Sequence, residues 1–203
     1  MVDIFMRYLL STLFFVFSLS SFANEQTLIV AGGCFWCVES DYEKYPGVLS
    51  AESGYINGTT KHPTYRQVAS KKTGHYEAVK ITYNSQQVSL EQLLDYFWRT
   101  IDPTDDNGQF CDKGSPYKTG LFYQNAEQKQ QFEQSLAKLN KEKPFAEKIV
   151  TPILAADIFY LAEEYHQDFY KKSSLRYKYY RASCGRDSRI KDLWGEVVSK
   201  QYH

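Results

Sequence analysis

The chain has 203 residues, and its 24 basic side chains are balanced by 24 acidic ones, so the formal net charge is zero. Nucleic-acid-binding proteins usually carry a basic excess, and this balance argues against that class. Aromatic residues make up 16% of the chain, which is too many for a disordered protein. The length fits one domain with a substantial hydrophobic core.

The N-terminal segment has the pattern of a secretory signal peptide. Arg7 precedes an uncharged, largely apolar run over residues 8–19, and Ser21-Phe22-Ala23 has the small-x-small pattern of a cleavage site. The run is shorter than the roughly 20 residues that a membrane span needs, which favours cleavage over a membrane-anchored form. We therefore expect a signal peptide over residues 1–23 and one exported, periplasmic domain over residues 24–203.

Hydrophobic periodicity and turn residues predict the elements of this domain. In chain order they are a strand at 27–31, a helix at 34–45, strands at 48–56 and 75–83, a helix at 89–100, a strand at 120–124, a helix at 126–140, a strand at 147–155, a helix at 159–172 and a short helix at 188–199. Ser89 and Gln92 form a capping-box pattern, and Asn125 is predicted to cap the following helix. Residues 102–118 form a polar loop long enough to be a functional candidate.

The order of these elements matches a split β-α-β unit. It predicts the α+β class: a ferredoxin-like sandwich of sheet and helices, with extra C-terminal helices and an ordered, coil-rich tail. No linker rich in proline or glycine divides the mature chain.

The chemistry-bearing segment is Gly32-Gly33-Cys34-Phe35-Trp36-Cys37, where a strand meets a helix. Free N–H groups and the helix dipole in the first turn favour a thiolate at Cys34. Phe35 and Trp36 place apolar surface beside the sulfur, which suits a small apolar group such as a methyl. The segment therefore predicts a reactive cysteine next to an apolar pocket.

Other readings of the four cysteines remain open at this point. In an exported protein they could form two structural disulfides that staple a binding module. Cys34 and Cys37 also form a Cys-x-x-Cys pair, as in a thioredoxin-like thiol–disulfide oxidoreductase, although neither Pro144 nor Pro152 makes a convincing cis-proline loop. The remaining cysteines stand singly, which argues against a metal site.

Four motifs together resemble the A-type peptide-methionine sulfoxide reductase family. They are Gly-Cys-Phe-Trp-x-Val-Glu at 33–39, His-Pro-Thr-Tyr-Arg at 62–66, Gly-His-x-Glu-Ala-Val at 74–79 and Glu-x-Tyr-His-Gln-Asp at 163–168. The resemblance implies reduction of the S epimer of methionine sulfoxide, free or in proteins, without a cofactor. It also implies a thioredoxin-like dithiol as reductant, a monomer, and neither nucleic-acid binding nor stable membrane insertion.

The same resemblance implies roles for individual residues. Cys34 would attack the sulfoxide sulfur, and Glu77 would protonate the leaving oxygen. Tyr65 and Tyr117 would hydrogen-bond that oxygen. The substrate-binding residues would be Phe35 and Trp36, which hold the methyl group, together with Gly33, His75 and Asp112.

The resemblance further implies that a second thiol condenses with the sulfenic acid formed on Cys34. By position in the family this resolving thiol is Cys184. Cys37 ranks second, because it is close on the same helix but must bend the first turn, and Cys111 ranks third. The chain departs from the commonest family pattern, which has Gly at the position of Cys37 and often Asn at that of Cys111. A disulfide between Cys37 and Cys111 is a further alternative.

Overall fold

The computed structural model describes residues 24–195. The predicted signal peptide, residues 1–23, and the last part of the predicted helix at 188–199 lie outside this range. Within residues 24–195, no helix is both long and apolar enough to cross a membrane.

Eight strands and seven α-helices make up the described part of the chain. The strands are β1 Glu25–Gly32, β2 Val48–Ile56, β3 Tyr76–Asn84, β4 Gly108–Gln109, β5 Asp112–Lys113, β6 Thr119–Tyr123, β7 Ile153–Ala155 and β8 Tyr160–Leu161. The helices are α1 Phe35–Glu43, α2 Tyr65–Ala69, α3 Leu90–Arg99, α4 Ala126–Glu142, α5 Phe169–Lys172, α6 Ser174–Cys184 and α7 Arg186–Trp194. Residues Ser115–Tyr117 form a 3-10 turn.

A six-stranded sheet with the order β7-β6-β1-β3-β2-β8 forms the centre of the molecule. From β6 to β8 each strand is antiparallel to the next, while β7 pairs with β6 in parallel. Strand β3 lies between β1 and β2, so the unit β1-α1-β2 is split by a third strand. The predicted α+β class and split topology are confirmed.

The hydrophobic core follows from the alternation of side chains along the strands. Successive residues of a strand point to opposite faces, so Leu28 and Val30 face one side of the sheet and Ile29 and Ala31 the other. The first pair belongs to the main core with α1, α3 and α4, which contributes Phe132. The second pair belongs to a smaller cluster on the opposite face. From Leu28 to its end beside Cys34, β1 is therefore buried on both faces.

The capping predictions hold in detail. The Ser89 hydroxyl accepts a hydrogen bond from the Gln92 amide, and the Gln92 side chain accepts one from the Ser89 amide. Asn125 caps α4 by accepting from the amide of Gln128 at 2.8 Å. These side chains satisfy amides that have no partner inside their own helix.

Three predictions for the C-terminal half are wrong. The helix predicted at 159–172 is instead strand β8, a turn and the short helix α5. Of the strand predicted at 147–155, only β7, Ile153–Ala155, forms a strand. The tail is not rich in coil up to residue 195, because α6 and α7 cover most of it.

Contacts distant in sequence explain the missing helix. Tyr160 and Leu161 pair with β2, and the Gln167 side chain bonds both the N–H and the C=O of Ser53 at 2.9 Å. Asp168 has a left-handed backbone with φ 54°, which interrupts a right-handed helix. Hydrogen bonding to the sheet therefore overrides the local helical pattern.

Candidate active site

Cys34 lies where β1 passes into α1 and occupies the N-cap position of that helix. The preceding residue, Gly33, has φ +86°, a conformation that residues with a side chain rarely adopt. A Cβ atom on Gly33 would also lie 2.6 Å from Cβ of Gln109. Glycine at this position therefore allows both the sharp turn and the close approach of the loop that contains Gln109.

Glu77 is buried on β3 beside the start of α1. Its carboxylate accepts a hydrogen bond of 3.1 Å from the amide of Phe35, the residue that follows Cys34. Burial raises the pKa of Glu77 to about 8, and the hydrogen bond from Phe35 opposes this effect only in part. Glu77 therefore holds a proton at neutral pH, as a general acid must.

Tyr65 and Tyr117 are half-buried, and each acts on the pKa of the other. Tyr65 begins α2, and Tyr117 ends the 3-10 turn that follows β5. Burial raises the pKa of Tyr65 to about 12, and it raises the pKa of Tyr117 as well. Both hydroxyls therefore stay protonated, and a negative charge on Cys34 or Glu77 would raise both tyrosine pKa values further.

An aromatic wall formed by Phe35, Trp36 and His166 borders the cysteine. Phe35 is buried, whereas Trp36 is partly exposed and stacks on Phe169 with ring centroids 3.8 Å apart. The Trp36 indole N–H donates a 3.0 Å hydrogen bond to Nδ1 of His166. Burial lowers the pKa of His166 to about 4, so the imidazole is neutral and fixes the orientation of the indole.

Cys34 and Cys37 are free thiols, and both are buried. They are one helical turn apart, and the Cys37 amide donates a 3.1 Å hydrogen bond to the Cys34 carbonyl. Burial, together with Cys37 and Glu77, raises the pKa of Cys34, whereas the Cys34 side chain lowers the pKa of Cys37 to about 7. The resting Cys34 is therefore a neutral thiol, and it must lose its proton to become a thiolate.

The other two cysteines, Cys111 and Cys184, form a disulfide. The alternative disulfide between Cys37 and Cys111 is therefore absent from this structure. Cys111 is exposed, and Sγ of Cys184 lies 3.8 Å from a carboxylate oxygen of Asp112. The same oxygen accepts a hydrogen bond from the Tyr180 hydroxyl, and Tyr180 also acts on the pKa of Cys34. Asp112 and Tyr180 thus connect the buried thiol with the disulfide at the surface.

Arg186 is a buried cation of the site that the sequence reasoning missed. Its guanidinium donates to the carbonyls of Gly32 at 2.7 Å and Thr100 at 2.9 Å, and it lies 4.5 Å from the Phe110 ring. Together with Arg181 it helps to lower the pKa of Cys37. Only its position directly after Cys184-Gly185 could have drawn attention to it.

His75 lies in the predicted site motif, but both of its ring nitrogens are hydrogen-bonded to the backbone. Nδ1 accepts from the amide of Gly58 at 3.1 Å, and Nε2 lies 2.8 Å from the carbonyl oxygen of Thr60. This arrangement leaves Nε2 to donate its proton to Thr60. The structure therefore gives His75 the role of holding the loop before α2.

Among residues 24–195, two clusters of three side chains bring possible metal-ligand atoms together, but in both clusters these atoms already have protein partners. In the first, two of the three members are the sulfur atoms of the disulfide. In the second, the ammonium group of Lys171 lies 2.7 Å from Glu43 and 2.6 Å from Asp168. Neither cluster therefore offers three unpaired ligands.

Comparison with known proteins identifies the family. The family model described as peptide methionine sulfoxide reductase matches residues 26–198. The chain belongs to this family. It is an oxidoreductase that reduces methionine sulfoxide through thiol chemistry, so the thioredoxin-like exchanger and the stapled binding module are set aside.

Sequences of related reductases align with most of the chain. Peptide methionine sulfoxide reductase MsrA 2 of Caulobacter vibrioides is 48% identical over 85% of this chain and 87% of its own length. MsrA/MsrB of Vibrio cholerae is 46% identical over 87% of this chain, which spans only 47% of that longer protein.

A solved structure shares the fold. Reduced Mxr1 of Saccharomyces cerevisiae is 31% identical, with a TM-score of 0.71 over 76% of this chain and 88% of that one. Mxr1 has also been solved in complex with Trx2, and in that state it superposes with a TM-score of 0.53 at 24% identity over 73% of this chain and 87% of that one.

Proposed function

We propose that the reductase acts on the S epimer of methionine sulfoxide, free or in proteins, with Cys34 as nucleophile and Glu77 as acid. One observation carries these roles: the buried carboxylate of Glu77 is bonded to the amide of Phe35, directly beside Cys34 at the start of α1. A nucleophile and a group that holds a proton at neutral pH are thereby fixed at one helix terminus.

In the first step Cys34 attacks the sulfoxide sulfur while Glu77 gives its proton to the oxygen. Glu77 regains a proton from the thiol, so the proton that Cys34 loses replaces the one that Glu77 gave to the oxygen. The attack joins Cys34 to the substrate sulfur by an S–S bond. This bond and the S–O bond of the substrate then break as the hydroxyl group moves to the sulfur of Cys34, where a new S–O bond forms. A thiol and a sulfoxide thus become a sulfenic acid and a thioether, and all atoms and electrons balance.

The surrounding side chains orient the substrate for this step. The hydroxyls of Tyr65 and Tyr117 polarise the S–O bond without adding a charge. Phe35 and Trp36 hold the methyl group, and His166 fixes the indole through its hydrogen bond.

The sulfenic acid then condenses with a second thiol to a disulfide and water, and a thioredoxin-like dithiol restores the thiols. The position of the Cys111–Cys184 disulfide supports this recycling, because Cys111 is exposed while Cys34 and Cys37 are buried. The complex of Mxr1 with Trx2 points to the same class of partner.

An epimer-resolved assay tests the proposed function. The purified domain is mixed with racemic methionine sulfoxide and dithiothreitol, and both epimers are followed on a chiral column. We expect the S epimer to be consumed and the R epimer to remain, and we expect Cys34→Ser to convert neither. Consumption of both epimers at equal rates, or full activity of Cys34→Ser, would contradict the proposal.

We also propose that the enzyme is exported to the periplasm after cleavage behind Ala23. The proposal is supported by the charge, the apolar run and the small-x-small pattern within residues 1–23. Fractionation of cells expressing the full chain, with mass spectrometry of the mature N-terminus, tests it. A soluble periplasmic protein beginning at Asn24 is expected, and a product that retains residues 1–23 would contradict cleavage.

A further inference from the structure

We propose that Arg186 is a positioning residue of the reductase, which holds the turn that carries Cys34 and places a positive charge beside the buried thiols at the start of α1. The inference rests on the proposed function, because its effect on turnover requires Cys34 to be the nucleophile. It gives a role in the reaction to a side chain that acts through its neighbours.

The guanidinium of Arg186 connects the end of β1 with the end of α3. One terminal nitrogen donates to the carbonyl of Gly32, the last residue of β1, and the other donates to the carbonyl of Thr100, the C-cap of α3. The nitrogen that bonds Gly32 also lies 3.3 Å from the position that a Cβ atom on Gly33 would occupy. The group is therefore packed directly against the two glycines that precede Cys34.

The flat face of the guanidinium makes a further contact. Its carbon atom lies 4.5 Å from the centroid of the Phe110 ring, and Phe110 directly precedes Cys111 of the disulfide. A planar cation with donors in fixed directions can bond two carbonyls and stack on a ring at once, whereas the ammonium group of a lysine is a point charge without a flat face. These contacts therefore specify arginine.

The charge of Arg186 is not neutralised by an ion pair. The residue is 1% exposed, and none of the ion pairs within residues 24–195 includes it. Arg181, the other cation that acts on Cys37, is paired with Asp41 at 2.7 Å and with Asp187 at 2.8 Å. Burying a cation without an opposite charge costs free energy. A contribution to stability alone therefore does not explain this charge.

Two helix termini add to the positive potential around the guanidinium. Arg186 is the first residue of α7, and Cys34 is the N-cap of α1. The N-terminal end of a helix carries a partial positive charge, which disfavours a cation and favours an anion. The position of Arg186 is thus unfavourable for α7 itself but favourable for a thiolate at the start of α1.

The ionisable side chains that act on Cys37 show how much depends on this one cation. They are Cys34 and Asp41 of α1, Glu77 of β3, Tyr177 and Arg181 of α6, and Arg186 of α7. Burial raises the pKa values of Glu77 and Tyr177, so both are neutral at neutral pH. The charges of Arg181 and Asp41 oppose each other within their ion pair. Arg186 therefore supplies the net positive charge that stabilises a thiolate here.

Titration of a single thiol tests the charge without any turnover. In Cys34→Ser with the Cys111–Cys184 disulfide intact, Cys37 is the only free thiol, and the ultraviolet absorbance of its thiolate is followed against pH. Adding Arg186→Met should raise the pKa of Cys37 by about one unit or more, because the stabilising charge is lost. Arg186→Lys keeps a cation and should shift this pKa much less.

Arg189→Met is the matched control on the same helix. Arg189 is paired with Asp102 at 2.7 Å, so its charge is already neutralised. The variant loses an arginine of α7 but not the charge beside the thiols. The pKa of Cys37 and the rate of turnover should therefore stay close to those of the parent proteins.

The rate of the first turnover tests the position of the nucleophile. Reduced enzyme is mixed with saturating methionine-S-sulfoxide, and methionine is measured by rapid quenching. Arg186→Lys should lower this rate by about 10-fold, because it keeps the charge but not the two fixed donors, and Arg186→Met should lower it by about 100-fold. The sulfoxide concentration that gives half the maximal rate should change far less, since Phe35 and Trp36 are retained.

The outcomes separate this inference from the proposed function. An unchanged pKa of Cys37 in Arg186→Met would overturn the proposal even if turnover fell, because Arg186 would then be a structural support only. A wild-type first turnover in Arg186→Met would overturn it too. If Arg186→Met does not fold, a wild-type rate in Arg186→Lys contradicts the proposal and a rate lowered at an unchanged pKa supports it. A wild type that forms no methionine would refute the proposed function, whereas the titration still decides whether Arg186 supplies the charge.

Discussion

At the scale of single residues, the proposed acid–base chemistry depends on Glu77. A carboxylic acid of normal pKa would be ionised at neutral pH and could not protonate the sulfoxide oxygen. Burial on β3 raises the pKa of Glu77 to about 8 and keeps the proton in place. The Gly-His-x-Glu motif could single out this residue, but its burial follows from the packing of β3 against α1, which is not visible in one strand.

Replacement of Glu77 by Gln should lower kcat by about 100-fold or more, because a positioned general acid typically contributes that much. The neutral amide fills the same space, so KM should change much less than kcat. Steady-state kinetics with methionine-S-sulfoxide measures both constants. An unchanged kcat would show that the proton comes from another group.

The same variant should also change how the free energy of unfolding depends on pH, which can be measured without turnover. The folded state holds the Glu77 proton up to about pH 8, whereas the unfolded chain releases it near pH 4.5, so rising pH between these values destabilises the fold. Glu77→Gln should therefore lose less stability than the wild type between pH 5 and pH 8 in urea titrations. Glu39, whose pKa burial raises to about 7, titrates in both proteins and cancels. If the free energies of unfolding of both proteins fell equally with pH, the raised pKa of Glu77 would be contradicted.

Gly33→Ala should destabilise the fold by about 2–4 kcal/mol, since it combines a left-handed backbone with a clash against Gln109. Gly74→Ala is the matched control, because Gly74 has φ +75° and its nearest neighbour to a Cβ would be 3.7 Å away. The control should lose only about 1–2 kcal/mol. Equal losses in urea titrations of the two variants would show that the contact with Gln109 is unimportant.

At the scale of elements, the segment between β8 and α5 shows where sequence reasoning stops. Glu163 accepts hydrogen bonds from the Tyr65 amide and the Tyr55 hydroxyl, and Gln167 bonds the backbone of β2. These partners lie about one hundred residues away, so no local pattern could reveal them. Strands β1 to β3 and helices α3 and α4, by contrast, were predictable, because their burial pattern and caps are local.

Gln167→Ala should loosen this segment and with it His166, which orients Trp36. The variant removes three hydrogen bonds, to Ser53 and Ala162, and leaves the Ser53 amide unpaired, so we expect a loss of about 2–3 kcal/mol. KM should rise more than kcat falls, because the methyl pocket is affected and Glu77 is not. Gln134→Ala, at an exposed position of α4, is the control and should change stability by about 0.5 kcal/mol or less.

At the scale of the whole molecule, redox state and stability are coupled. The disulfide joins residues 73 positions apart and ties the loop containing β4 and β5 to the end of α6. Cross-linking a loop of this length typically adds about 2–4 kcal/mol, so the oxidised protein should be more stable than the reduced one by that amount. Urea unfolding of both forms measures the difference, and Cys111→Ser should unfold like the reduced form. Equal stability of the oxidised and reduced forms would contradict the expectation.

The central claim is that Cys34 takes the oxygen of the sulfoxide, and a variant with no other cysteine tests it most directly. After replacement of Cys37, Cys111 and Cys184 by Ser, and confirmation of the fold by circular dichroism, the protein is mixed with methionine-S-sulfoxide and dimedone. Each chain should form about one methionine and carry one dimedone adduct, located on Cys34 by mass spectrometry. A folded variant that forms methionine without modification of Cys34, or forms none at all, would contradict the account.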